Sequence, residues 1–218
     1  MKFKIDKYTE NRQLYLKQEH EFNEGVTILV GCNGSGKSTL LKRVRDEIAK
    51  NKDICVLEHF SRDEERFFKD RCLRVEDYGT LSASMQGSEG ENISIMMGTF
   101  FSKVGYTRKQ FEDKEKKFDT VFMIMDSIDS GWSIDQYKDF NYVLNLIISD
   151  FSSLGVKVYC LISSNTYELV EAFNSYDVQH NKYVKFKSYD DYRKFVVKSR
   201  EIKEKYLDAE ERRAKMGR

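Results

Sequence analysis

Gly31-Cys32-Asn33-Gly34-Ser35-Gly36-Lys37-Ser38-Thr39 fits G-x-x-x-x-G-K-[ST], the pattern of a phosphate-binding loop. Before it runs Val26-Thr27-Ile28-Leu29-Val30, apolar and β-branched, which reads as a buried strand. After it, apolar residues at 40, 41, 44 and 48 recur at helical spacing. Strand, glycine loop and helix, in that order, are the context the motif requires. Its glycines let the backbone turn tightly and approach a ligand, and the loop N–H groups form an anion nest at a helix N-terminus. Asn33, Gly34, Ser35, Gly36, Lys37, Ser38 and Thr39 are therefore candidate nucleotide contacts. Lys37 is placed to reach the β- and γ-phosphates, Ser38 to hold Mg²⁺ and Thr39 to face the α-phosphate. The plainer alternative is a glycine turn that precedes a helix and happens to carry Lys-Ser.

The 218 residues, 40% of them hydrophobic, suffice for one sizeable core and suggest a single domain over 1–218. A net charge of +1 gives no global argument for a polyanion partner. No apolar run is long enough to cross a membrane and no signal-peptide pattern opens the chain, so a cytoplasmic location without a membrane partner is expected. Cys32, Cys55, Cys72 and Cys160 lack metal-ligand spacing and suit reduced thiols. Cys32, beside Lys37 in the loop, is expected to be reactive.

Ahead of the loop, residues 2–8 alternate apolar and polar as a half-exposed strand does, and 14–16 and the surroundings of Phe22 read as further strand pieces. These predict an antiparallel layer before the loop's own strand. Tyr8 or Tyr15 is a candidate to stack on adenine, against the plainer reading of core or surface. Residues 54–57 read as a second buried strand. The charge-dense 61–76 reads as a solvated helix or loop, or as a surface facing a partner or nucleic acid. A small, polar loop at 79–87 leads to Ser88-Glu89-Gly90-Glu91 and a helix beginning near Asn92, for which Ser88 and Glu91 make a capping box.

Val121-Phe122-Met123-Ile124-Met125-Asp126 reads as a buried parallel strand that presents Asp126 at its C-terminal end. A carboxylate there can hold the water shell of the Mg²⁺ that Ser38 binds, although a strand-ending Asp can also simply cap a turn. Residues 133–151 follow as a helix ending near Gly155. Then come a strand over 156–162, a short helix from Tyr167, an edge strand at 183–186 and a last helix at about 189–215. Large apolar residues stop at Leu207 until Met216, so this helix is expected to fray at its end. From 182 to 218 there are thirteen Lys and Arg against seven Asp and Glu, a basic face open to nucleic acid or an acidic partner, or a solvated surface.

The loop is close to G-x-N-G-S-G-K-S-T, and the chain resembles the head of an ABC-type ATPase in the branch of the SMC, RecF and recombination-repair ATPases. A likeness to small phage-encoded ATP-binding proteins of this kind accompanies it. Ser88-Glu89-Gly90-Glu91 resembles the S-G-G-Q core of the family's signature, and Val121 to Asp126 its second Walker strand. Ser130-Gly131-Trp132-Ser133 resembles the loop after that strand, and Asn165 stands where the family has its switch histidine. The resemblance implies an α/β fold with a mainly parallel central sheet, an N-terminal antiparallel β layer and surrounding helices. It further implies two heads sandwiching two Mg·ATP, with Ser88 and Gly90 binding the γ-phosphate held on the opposite head.

Three departures bear on catalysis. The family's catalytic glutamate is replaced by Ser127, the following proline by Ile128 and the switch histidine by Asn165. A serine needs activation to act as a base and asparagine takes no proton. Asp129 stands close by and can orient water from a shifted position. The candidate catalytic set is accordingly Lys37, Asp126, Ser127, Asp129 and Asn165, with Ser38 and Asp126 as metal ligands. With these departures, the resemblance implies a Mg·ATP-binding homodimer with slow hydrolysis that controls a protein partner or a nucleic-acid process. The alternative is a nucleotide-gated interaction module with little or no hydrolysis. A P-loop kinase is disfavoured by the antiparallel start.

Overall fold

The computed structural model describes residues 1–9, 12–60, 89–113, 118–128 and 132–216. The loop strand β5 (Gly25–Val30) sits inside a six-stranded sheet with β6 (Ile54–Phe60), β7 (Thr120–Asp126), β8 (Lys157–Ser163), β9 (Asn174–Asp177) and β10 (Lys182–Val184). The strand order is β10-β9-β5-β8-β7-β6. Pairing is parallel throughout except at the edge, where β10 runs antiparallel to β9. Strands β5, β7 and β8 are almost wholly buried, which is why their sequences are continuous apolar runs.

Side chains alternate across these strands and build two cores. Val26, Ile28 and Val30 of β5, Val121, Met123 and Met125 of β7, and Val158, Cys160 and Ile162 of β8 face one side. That side is covered by α2 (Glu89–Glu112), α3 (Ile134–Ser153) and α4 (Tyr167–Ala172), through Phe100, Phe140, Leu144 and Leu169 among others. Leu29, Phe122, Ile124, Tyr159 and Leu161 face the other side, where α1 (Lys37–Ile48) brings Leu40, Leu41, Val44 and Ile48. The last helix, α5 (Tyr189–Met216), buries Tyr192 and Ser199.

The N-terminal antiparallel layer is present, in two small pieces. β1 (Lys2–Lys4) pairs with β4 (Glu19–Glu21), and β2 (Tyr8–Thr9) pairs with β3 (Arg12–Gln13). The strand expected over 2–8 is broken because the Asp6 carboxylate accepts the Tyr8 N–H at 3.1 Å, a side-chain turn that competes with the ladder. Residues 14–16 form no ladder: Leu14 and Tyr15 both donate to the Lys7 carbonyl, and Leu16 donates to that of Gln179.

Other boundaries also move. Helix α2 starts at Glu89, three residues before Asn92, so Gly90 and Glu91 fall within its first turn. The late edge strand covers Lys182–Val184, and α5 continues as helix to Met216. Ser133 caps α3 in a box with Gln136, and Gly155 ends that helix region at φ +75°. Residues 61–76 and 79–87 lie outside the described residues. Among the described residues, no helix is long and apolar enough to cross a membrane.

Candidate functional site

Strand order brings the chemistry together. β8 lies between β5 and β7, and its last residue, Ser163, is in register with both Leu29 and Asp126. The phosphate loop, the end of β7 and the turn after β8 therefore meet at the C-terminal edge of the sheet, where open α/β sheets bind ligands.

Lys37 is the first residue of α1, and its ammonium folds back over the loop. Nζ donates to the carbonyls of Gly31 at 2.8 Å and Cys32 at 3.3 Å, and to Asn165 Oδ1 at 2.9 Å. Ser38 Oγ donates to Asp126 Oδ1 at 2.9 Å. Ser163 Oγ also donates to Asp126 Oδ1 and accepts the Ser127 N–H at 3.0 Å. Lys37, Ser38, Asp126, Ser127 and Asn165 thus form one constellation. Ser127 has φ +55°, a left-handed conformation that costs a non-glycine residue roughly 1–2 kcal/mol. That outlier directly follows Asp126, where strain is common in functional sites.

The loop is braced from outside. Tyr15 Oη donates to the Gly36 carbonyl at 2.8 Å, Arg12 Nη2 to that of Gly34 at 3.1 Å, and Lys203 Nζ to that of Asn33 at 3.0 Å. Gly31, Gly34 and Gly36 all have positive φ. Ser35 is buried, and a Cβ on Gly31 would lie 2.5 Å from its hydroxyl, so the two residues need each other's compactness. Thr39, on α1, is half-buried.

The oxygen donors fit Mg²⁺. One hydroxyl at a helix N-terminus and one carboxylate at a strand end match a hard cation that takes its remaining ligands from water and phosphate. Among the described residues there is no cluster of three His, Cys, Asp or Glu that could hold a metal ion.

Other candidates fall differently. Asp129 and Ser88 lie outside the described residues. Gly90 is in the first turn of α2, where backbone N–H groups lack helical acceptors. Trp132 packs edge-on against Phe140 at 5.1 Å and Tyr137 at 5.6 Å, so it belongs to the entry of α3. Tyr15 is fully buried and offers no face to a base, whereas Tyr8 is 40% exposed. Cys32 is 6% exposed, which restricts reagents more than its position beside Lys37 suggests. Sequence reasoning missed Ser163 as a partner of Asp126, and Arg12 and Lys203 as braces. Only strand register reveals the first, and the braces depend on distant contacts. A cleft of about 760 Å³ opens at the opposite end of β5 and β9, beside Gly25 and Asn174, away from this chemistry.

No protein-family model matches the chain, and no curated protein does. Solved structures do. A nucleotide-free ATP-binding cassette from an ABC transporter is 14% identical, with 91% of this chain and 96% of that chain covered and a TM-score of 0.50. Another ATP-binding cassette of an ABC transporter, in its ADP conformation, is 13% identical over 91% and 96%, with a TM-score of 0.48. With its parallel sheet, phosphate loop and antiparallel N-terminal strands, the chain has the α/β fold of an ATP-binding cassette.

Proposed function

We propose that this chain binds Mg·ATP at the phosphate loop and hydrolyses it slowly, and that nucleotide occupancy controls head-to-head pairing of two copies. The observation that carries the reading is the convergence of Lys37, Ser38, Asp126 and Asn165 from two strand ends and one helix start. The Lys37 ammonium now satisfies itself on two carbonyls and an amide oxygen. An arriving phosphate is a stronger, charged acceptor and draws it off the loop. Ser38 and Asp126 would hold Mg²⁺, which supplies charge neutralisation at the β- and γ-phosphates. Ser163, which donates to the same Oδ1 as Ser38, helps to fix the Asp126 carboxylate.

Slow turnover follows from what stands beside Asp126. Ser127 is not a base at neutral pH, and Asn165 holds Lys37 through its amide oxygen without taking a proton. Asp129 is the remaining nearby carboxylate in the sequence. Ser88 and Gly90 are assigned to the γ-phosphate of the opposing copy, and the basic α5 to a protein partner or DNA. The same Ser127 and Asn165 favour a second reading, a nucleotide-gated module that hydrolyses little or nothing.

Light scattering with Mg·ATP, Mg·ADP and no nucleotide, with phosphate release from the same samples, tests both. A dimer that forms with ATP and decays with phosphate release supports the ATPase. An ATP-only dimer that persists without release supports the module, and a size that ignores nucleotide overturns the sandwich. Ser127→Glu adds a discriminating variant: a rise in turnover of ten-fold or more is expected if the native site lacks only its base.

A further inference from the structure

The C-terminal helix meets the phosphate loop directly. Ser199, Lys203 and Tyr206 recur at i, i+4 and i+7 and share one face of α5. Ser199 is 2% exposed. Its Oγ accepts the Cys32 N–H at 2.9 Å and donates to Gln179 Oε1 at 2.6 Å, while Gln179 Nε2 donates to the Ser199 carbonyl at 3.2 Å. One helical turn further on, Lys203 Nζ donates to the Asn33 carbonyl at 3.0 Å. The same ammonium lies 3.1 Å from where a Cβ on Gly34 would sit. Two successive loop residues are thus held by a helix some 170 positions away in sequence.

The direction of these bonds matters. In a trans peptide the carbonyl and the following N–H point opposite ways. With the Asn33 oxygen drawn outward to Lys203, the Gly34 N–H is turned toward the inner side of the loop. The neighbouring peptide shows the same geometry at work. Its Gly34 oxygen is held by Arg12 Nη2 at 3.1 Å, and its Ser35 N–H reaches the Cys32 carbonyl at 3.1 Å on the other side. Lys203 also carries a positive charge against the loop.

We infer that Lys203, anchored by Ser199, is a positioning residue of the phosphate site, so that the C-terminal helix is part of the nucleotide-binding machinery. The inference rests on the ATP-binding reading above. Its ligand class is a polyphosphate: Lys203 orients a donor and adds charge, and both effects grow with the negative charge of the ligand. ATP binding should therefore respond to Lys203 more strongly than AMP binding does.

The test is calorimetric titration of the full chain with ATP and with AMP, on wild type, Lys37→Ala, Lys203→Met and Lys203→Arg. Thermal melts without nucleotide run alongside. The expected result for Lys203→Met is an ATP Kd raised about ten-fold, a smaller change for AMP and a nucleotide-free Tm within about 2 °C of wild type. Lys203→Arg keeps the charge and a carbonyl donor, and should recover ATP affinity to within about three-fold. Wild-type ATP affinity in Lys203→Met, with binding still lost in Lys37→Ala, overturns this inference alone. A fall in nucleotide-free Tm with equal losses for ATP and AMP assigns Lys203 a purely structural role and overturns it too. No ATP binding by wild type overturns both this inference and the reading on which it rests.

Discussion

Gly36 is the N-cap of α1, with φ +100° and ψ +13°, and its carbonyl accepts from both Tyr15 Oη and the Leu40 N–H. A Cβ there would lie 3.0 Å from Tyr15 Cε1, 3.1 Å from its oxygen and 3.2 Å from Leu14 Cδ1. Tyr15 is fully buried and cannot swing aside. Gly36→Ala therefore adds overpacking to a disfavoured backbone conformation, and is expected to cost about 2–4 kcal/mol. Gly34 differs: its φ is +76°, but a Cβ there meets the flexible end of Lys203, so Gly34→Ala should cost only about 1 kcal/mol. Chemical-denaturation midpoints of the two variants check this ranking, and equal losses would mean that Tyr15 yields. These glycines, Lys37, Ser38 and Asp126 were legible in the sequence because a phosphate loop and an apolar strand ending in a carboxylate are local patterns. Ser163, Arg12 and Lys203 were not, because each joins the site only through tertiary approach.

At the scale of elements, β7 lies between β8 and β6 and joins separate parts of the fold. Phe122 is fully buried, stacks on Tyr159 of β8 at 4.8 Å with 6° between the rings, and meets Phe3 of β1 edge-on at 5.8 Å. It therefore joins the central sheet to the N-terminal layer. Phe122→Ala should cost about 3–5 kcal/mol, since the rigid strands on either side close the cavity poorly. A stability loss from denaturant unfolding below a third of that amount would show that the N-terminal strands collapse into the space. The parallel strands β5, β7 and β8 were readable because both of their faces are buried and their sequences are unbroken apolar runs. β9 was missed for the converse reason. Asn174-Ser175-Tyr176-Asp177 is mostly polar, and its buried polar groups find specific partners. Ser175 Oγ donates to the Val170 carbonyl at 3.5 Å, and Asp177 accepts the N–H groups of Gln179 and His180. Such satisfaction depends on neighbours that hydrophobic periodicity does not record. The helices α1, α3 and α5 were readable from spacing and caps, whereas the start of α2 shifted by one turn.

At the scale of the whole molecule, one buried histidine ties the N-terminal layer to the far edge of the sheet and sets an acid limit on stability. His20 of β4 is fully buried, edge-on to the Tyr15 ring at 4.9 Å. Its Nδ1 lies 3.2 Å from Tyr176 Oη on β9, and its Nε2 lies 2.8 Å from Asn181 Nδ2 in the turn before β10. Asn181 presents its NH₂ there, because that nitrogen also donates to the carbonyls of Lys17 and Glu19, and its Oδ1 accepts the Lys17 N–H. The two Nδ2 hydrogens are shared among these three acceptors, and an Nε2 that accepts one leaves the proton of the neutral ring on Nδ1. Protonation would set N–H against N–H₂ inside an apolar pocket. Burial lowers the His20 pKa from 6.5 to about 4. The folded value lies below the unfolded one, so the neutral ring's stabilisation is complete above pH 6.5 and is lost progressively as pH falls toward 4. By pH 5 that loss amounts to about 2 kcal/mol. Denaturant midpoints of wild type and His20→Gln, compared between pH 7.5 and pH 5, isolate the contribution, because glutamine does not titrate and the carboxylates are common to both chains. His20→Gln should be the less stable protein at pH 7.5 and should show the shallower decline toward pH 5. Parallel declines would place the acid sensitivity elsewhere, and the layer would then be held by Phe3, Phe22 and Tyr15 without a titrating link.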